Sequence, residues 1–183
     1  MTLDAQTGLA VLLMAALLFA AVYDLKYQKI PNLITFPLAA AALIFHSIFF
    51  GLDGFLFSGA GLLLGTALFL PVYIFGGMGA GDAKLMGAAG AVIGAKGVLV
   101  AAVFTGIIGG IYAIIVLVLH PRYGRAFVSR TRAVLKTFLL TRQYIPLSTP
   151  HPVQEKPRLC YGVAIALGVI TYLVLDHLDY TLI

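Results

Sequence analysis

Long apolar stretches separated by short polar clusters dominate this sequence. Six apolar segments can be delimited, at residues 8–23, 33–50, 54–75, 83–95, 97–119 and 159–175. At 1.5 Å per helical residue the fourth segment is only about 20 Å long, against about 30 Å for the hydrocarbon core of a bilayer. The pattern predicts an all-α integral membrane protein with six transmembrane helices, of which the fourth is short.

The distribution of basic residues predicts that the fourth segment crosses the membrane. The loop between the last two segments should be cytoplasmic, since it carries Arg122, Arg125, Arg130, Arg132, Lys136, Arg142, Lys156 and Arg158. The first loop, with Lys26 and Lys29, should also be cytoplasmic. The two loops lie on the same side of the membrane only if the fourth segment crosses it. A segment this short could cross if the bilayer thins locally or if Lys96 snorkels to the interface. Both termini are then predicted outside, together with Asp4, Asp53, Asp176 and Asp179.

Composition excludes an ordinary soluble domain, because mean hydropathy is +1.03 and only 10% of residues are charged. The first segment lacks the basic region of a signal peptide, so we interpret it as a retained span. The net charge of +5 follows membrane topology, so a nucleic-acid partner is not expected. We predict one membrane-embedded domain over residues 1–183, with residues 120–158 as its cytoplasmic basic loop.

The basic loop has helical periodicity of its own. Phe127, Val128, Val134, Leu135, Phe138 and Leu139 share one face of a helical wheel, and Arg125, Arg132 and Lys136 share the other. This pattern predicts an amphipathic helix in the cytoplasmic interface, in contact with anionic lipid. The helix would serve as a surface strut or border the substrate entrance.

Two acidic residues stand at segment ends on the same predicted side. Asp24 follows the first segment and Asp82 precedes the fourth. Since two complete spans separate them, both carboxylates should lie at the cytoplasmic boundary, where an ionised side chain is costly and commonly functional. An aspartyl protease requires such a pair, one carboxylate taking a proton from water and the other giving one to the peptide.

Glycines surround the second acid in the turn Gly76-Gly77-Met78-Gly79-Ala80-Gly81-Asp82. Glycine permits positive φ and close backbone approach, and Asp82 would lie at the N-terminus of the fourth helix, where an anion is favoured. Taken singly, each feature has a structural explanation: Asp82 as a plain N-cap, the glycines as packing residues, and Asp24 as a solvated partner of Lys26 or Lys29.

The stretch Asp24-Leu25-Lys26 with Ile30-Pro31-Asn32, and the stretch Gly79-Ala80-Gly81-Asp82-Ala83-Lys84-Leu85, resemble the two signatures of type IV prepilin peptidases. These are six-span aspartyl proteases of the GxGD class. The stretch from Tyr161 to Gly168 resembles the small branch that serves Flp (tight-adherence) pili, although Cys160 stands where that branch often has proline.

The resemblance implies that Asp24 and Asp82 form the catalytic pair and that Gly79 and Gly81 shape the active-site turn. Lys84 matches a motif position and would contact substrate, tune Asp82 or only snorkel. Asn32 is expected to cap the second helix, and His46 and His120 to be structural. The implied substrates are pilin precursors of the type IVb or Flp kind, cut between a short basic leader and a hydrophobic helix at the cytoplasmic face of the inner membrane.

No cofactor is expected. The four histidines are scattered, and the single cysteine, Cys160, excludes a thiolate metal site. The larger prepilin peptidases carry a cysteine-containing cytoplasmic region and methylate the new N-terminus. The first loop here is short and has no cysteine, so the resemblance implies cleavage without zinc or S-adenosylmethionine.

Two other functions fit the sequence less well. A presenilin-like intramembrane protease shares the Gly-x-Gly-Asp turn but usually has both acids deep within longer spans. A proton-coupled transporter or assembly scaffold would favour acids near mid-membrane or internal repeats.

Overall fold

A computed structural model describes residues 2–74, 77–119 and 160–178 of the 183-residue chain. These residues form four α-helices, which are α1 (Thr2–Tyr27), α2 (Asn32–Ile74), α3 (Ala80–Leu119) and α4 (Tyr161–His177). The predicted all-helical class is confirmed for this part of the chain. The predicted interfacial helix and His120 lie outside the described residues.

Helix length and composition identify a membrane protein. Within the described residues, three helices are long and apolar enough to cross a bilayer: Gln6–Tyr27, Asn32–Ile74 and Ala80–Leu119. Helix α4 is also apolar but has only 17 residues. Large apolar side chains such as Leu33, Ile48 and Leu63 are more than 70% exposed, as lipid-facing residues are.

Helix α2 turns back on itself at Gly51. A straight helix of its 43 residues would be about 65 Å long, more than twice the hydrocarbon thickness. Gly51 has φ 62° and ψ −138°, which glycine adopts without steric cost. The rings of His46 and Phe57 are 5.1 Å apart, although a straight helix would separate these positions by about 16 Å. The break directly follows residue 50, the predicted end of the second apolar segment.

Helix α3 has a similar break at Gly94, where φ is 76° and ψ is 177°. A Cβ atom placed on Gly90 would lie 3.1 Å from Cγ2 of Val98, and a straight helix would hold these positions about 12 Å apart. The chain therefore reverses here as well. Gly94 precedes by one residue the predicted end of the short fourth segment.

Small residues bring the second half of α2 against the first half of α3. Ser58 donates a hydrogen bond to the carbonyl oxygen of Ala91 at 2.7 Å. A Cβ atom on Gly61 would overlap the carbonyl oxygen of Gly90, and further contacts join Gly65 to Met86 and Gly87 to Thr66. As the residue number rises from 58 to 65 in α2, the number of the contacting residue in α3 falls from 91 to 86. The two helical segments therefore run antiparallel. Such close backbone approach is typical of packed membrane helices.

The chain divides into two units, which are described separately. The first comprises Met1–Gly109 with Cys160–Ile183, and the second comprises Gly110–Leu159. Of the second, residues 110–119 are described, and they form the end of α3. In the first unit α1 packs against α4, and its fully buried side chains include Leu13, Leu17, Leu85, Met86, Ile165 and Val169.

Candidate active site

Asp24 lies in the last turn of α1, because that helix continues beyond the predicted segment end at residue 23 to Tyr27. Its side chain is only 6% exposed. One carboxylate oxygen, Oδ2, accepts a hydrogen bond from the backbone N–H of Gly162 at 2.9 Å. The alternative that Asp24 is a solvated residue is therefore wrong. A hydrogen bond to a charged group contributes about 1.5–3 kcal/mol, which offsets part of the cost of burying the carboxylate.

Asp82 is the third residue of α3 and is 7% exposed. Its Oδ2 atom accepts a hydrogen bond from the backbone N–H of Gly79 at 2.9 Å, and its own N–H donates to the carbonyl oxygen of Gly79 at 3.2 Å. Gly79 thus occupies the N-cap position, and the Asp82 carboxylate reaches back to it as the acid of a capping box does. The predicted place of Asp82 at a helix N-terminus is confirmed, but it is not the N-cap residue itself.

The two acids belong to different helices, α1 and α3, of the same unit. In each, Oδ2 is held by a backbone N–H. Two neighbouring buried carboxylates can share one proton, and such a pair can act as acid and base toward the same water molecule.

Gly81 lets the loop after α1 lie against the start of α3. A Cβ atom on Gly81 would lie 2.9 Å from Cβ of Ile30 and 3.2 Å from its carbonyl oxygen. Among the described glycines, positive φ occurs at Gly51 and Gly94. Gly81 is therefore needed in this turn because it leaves space for Ile30, and not because its backbone is left-handed.

Lys84 and Asn32 link the second motif to the first. The ammonium group of Lys84 donates a hydrogen bond to Oδ1 of Asn32 at 3.0 Å and lies 5.2 Å from the ring centre of Phe36. Asn32, which the sequence predicts as the cap of the second helix, is the first residue of α2. Its side-chain oxygen accepts the hydrogen bond from Lys84. The two helix starts are joined through this pair.

The last helix reaches Asp24 with its first turn. A Cβ atom on Gly162 would lie 2.9 Å from Oδ2 and 3.0 Å from Cβ of Asp24, so any side chain at position 162 would meet the Asp24 carboxylate. Just before α4, the sulfur of buried Cys160 lies 3.8 Å from the carbonyl oxygen of Asp24. Sequence reasoning did not identify Gly162 as a site residue, and the available signal was its place in the stretch that resembles the Flp branch.

Among residues 2–74, 77–119 and 160–178, no three His, Cys, Asp or Glu side chains are grouped so that they could hold a metal ion. His46 is buried, its Nδ1 atom lies 2.9 Å from the carbonyl oxygen of Ala42, and its ring contacts Phe45, Phe50 and Phe57. The expectation of a metal-free reaction stays a prediction.

These helices define a membrane protein, and two of them, α1 and α3, each carry one buried aspartate. The sequence model of the Type IV leader peptidase family matches residues 11–114, more than half of the chain, and the chain belongs to that family of proteases. The match includes Asp24 and Asp82 and ends before α4. Comparisons with curated proteins and with solved structures gave no match.

Proposed function

We propose that this protein is a GxGD-type aspartyl endopeptidase that removes the short basic leader of pilin precursors at the cytoplasmic face of the inner membrane. The observation that carries the proposal is the pair Asp24 and Asp82, buried on separate helices and each held by one backbone N–H. Membership of the Type IV leader peptidase family supplies the reaction class.

In the proposed reaction the two acids hold one proton between them. The ionised carboxylate takes a proton from water as the water oxygen attacks the scissile carbonyl carbon. The protonated carboxyl stabilises the developing oxyanion and then supplies the proton that the leaving amine needs. Because Gly162 and Gly79 engage Oδ2 of Asp24 and of Asp82, Oδ1 of each acid is assigned to water and substrate.

We propose six spans with both termini outside. The reversals at Gly51 and Gly94 support this topology, because they divide α2 into 32–50 and 52–74 and α3 into 80–93 and 95–119. Residues 1–183 would then form one peptidase domain, with residues 120–158 as a basic cytoplasmic loop whose amphipathic helix binds anionic lipid. Both acids lie on the cytoplasmic side in this arrangement.

The proposed substrates are precursors of the Flp kind, in which a basic leader precedes a hydrophobic helix. The stretch beginning Tyr161-Gly162 and the short link of residues 28–31 between α1 and α2 support this branch. That link has no room for the cysteine-containing region of the larger enzymes, so cleavage without methyl transfer is proposed.

Lys84 is proposed to act as a positioning residue. Its contacts with Asn32 and Phe36 hold the start of α3 to the start of α2. In this role Lys84 holds the start of α3, which carries Asp82, beside the start of α2 and does not tune Asp82 directly. Positional errors of about 1 Å can cost roughly 100-fold in rate.

The test is a cleavage assay with the purified protein in lipid nanodiscs and a Flp-type pilin precursor. Mass spectrometry of the product should show one cut at the boundary between leader and hydrophobic helix, and the Asp24→Asn/Asp82→Asn variant should give none. Cuts inside the hydrophobic helix, or in unrelated single-span proteins, would favour a presenilin-like protease. Failure to cut a panel of such precursors would favour the transporter or scaffold.

A further inference from the structure

The hydrogen bond between Gly162 and Asp24 joins residues 138 positions apart and is buried. Asp24 ends α1, and Gly162 is the second residue of α4. The family match stops at residue 114, so α4 is not among the residues that identify the family. The proposed catalytic mechanism uses the two acids on α1 and α3. It assigns no role to α4, which donates the hydrogen bond from Gly162 to Asp24.

The backbone of α4 is fixed at points well away from Asp24. A Cβ atom on Gly168 would lie 2.6 Å from the backbone nitrogen of Thr105, and one on Gly97 would lie 2.8 Å from the hydroxyl oxygen of Tyr172. Helix α4 thus contacts α3 at Gly97 and Thr105 and also packs against α1. Its N–H at Gly162 is consequently presented to Asp24 from a rigid position.

Space at this contact is equally restricted. A Cβ atom on Gly162 would lie 2.9 Å from Oδ2, 3.0 Å from Cβ and 3.2 Å from Cγ of Asp24. Since α4 is held elsewhere, any larger residue at 162 would displace the Asp24 carboxylate and lengthen its hydrogen bond.

We propose that Gly162 is a positioning residue that sets the orientation of the Asp24 carboxylate, so that α4 is the third structural component of the active site. This inference rests on the proposed catalytic role of Asp24. The N–H of Gly162 fixes Oδ2 of Asp24 and so turns Oδ1 toward the water that is to be activated. Because glycine has no side chain, the N–H of residue 162 can come close enough to make this hydrogen bond.

The first test compares Gly162→Ala with two matched glycine variants on the same packing surfaces. Gly162→Ala should lower kcat roughly 100-fold, the effect of a displacement of about 1 Å, with KM and Tm near the wild-type values. Gly109→Ala, whose Cβ would lie an ordinary 3.6 Å from Cβ of Ala164, should keep both kcat and Tm. Gly168→Ala, which meets Thr105, should lower Tm while the folded fraction keeps its kcat.

A second measurement does not depend on catalysis. If the added methyl group of Gly162→Ala presses on the carboxylate, any loss of Tm or of folding should be relieved in the Asp24→Ala background. Relief supports the contact, and an equal loss in both backgrounds overturns it. Wild-type kcat in Gly162→Ala, or a kcat that falls only in step with Tm, also overturns the inference. Cleavage by Asp24→Asn would instead refute the catalytic assignment, so the two failures are distinguishable.

Discussion

Lys84 donates a 3.0 Å hydrogen bond to Asn32, which lies 52 positions earlier in the chain. Ile30, two residues before Asn32, packs on Gly81. The start of α3, which carries Asp82, therefore contacts both the loop after α1, at Ile30, and the start of α2, at Asn32.

Breaking the link between Lys84 and Asn32 should slow the reaction without abolishing it. A hydrogen bond contributes about 0.5–1.5 kcal/mol and this one is exposed, so Lys84→Met and Asn32→Ala should each lower kcat by no more than about tenfold. The double variant should be no slower than the worse single one, because both remove the same contact. Fully additive effects in this cycle would rule out the shared role. Lys96→Met, which changes a lysine outside both signatures, is the control.

Each catalytic acid should be indispensable. Asp24→Asn and Asp82→Asn preserve side-chain size but remove proton transfer, and each should reduce pilin processing at least about 1000-fold, within the usual contribution of acid–base catalysis. Immunoblots of co-expressed precursor would measure processing, and membrane fractions would confirm normal enzyme levels. Asp53→Asn and Asp176→Asn, at acids predicted on the other side of the membrane, should process normally. An Asn variant at position 24 or 82 with near-normal activity would refute the assignment.

The two glycines of the active-site turn should differ in tolerance. Gly81→Ala would place a methyl group 2.9 Å from Cβ of Ile30, whereas Gly79→Ala would place one 3.3 Å from Oδ2 of Asp82. We expect Gly81→Ala to lower kcat more than Gly79→Ala, because the added methyl group meets its neighbour at the shorter distance in the first case, and the loop with Ile30 must move. Initial rates per milligram of folded enzyme would decide the order. Gly106→Ala, which meets nothing within 4 Å, serves as the neutral control.

The proposed topology predicts the location of four reporter fusions. Fusions at Asp53 and Ile183 should report the periplasm, and fusions at Gln28 and Gln143 should report the cytoplasm. Paired alkaline phosphatase and fluorescent-protein reporters give opposite signals and check each site twice. A periplasmic signal at Gln143 would mean that the short fourth segment is re-entrant and that the span count is wrong.

Cleavage should persist in EDTA. Two carboxylates sharing a proton explain water activation, although one or two acids can also bind Mg²⁺ through water. The product should keep an unmethylated N-terminus when S-adenosylmethionine is supplied, as mass spectrometry would show. Activity lost in EDTA and restored by Mg²⁺ or Zn²⁺ would replace the aspartyl mechanism with a metal-assisted one.

The positions of the helices and of their breaks could be predicted from the sequence, because they depend on apolar runs and glycines within a few residues of each other. The reversals at Gly51 and Gly94 lie at or within one residue of predicted segment ends, and Asp82 opens its helix as expected. The sequence failed where distant segments decide the outcome. The sequence predicted Asp24 as a functional acid at the end of its span, but not that the first turn of α4, 138 residues later, would contact its carboxylate.

The contact between Gly162 and Asp24 also bears on the order of events during synthesis. Both acids are translated by residue 82, but the amide that holds the first of them is made 138 residues after it. A nascent chain therefore contains the complete pair of aspartates long before Asp24 can be oriented. With Gly162 in the proposed positioning role, the active site is complete only after the last helix has been made, and chains truncated before it should lack activity.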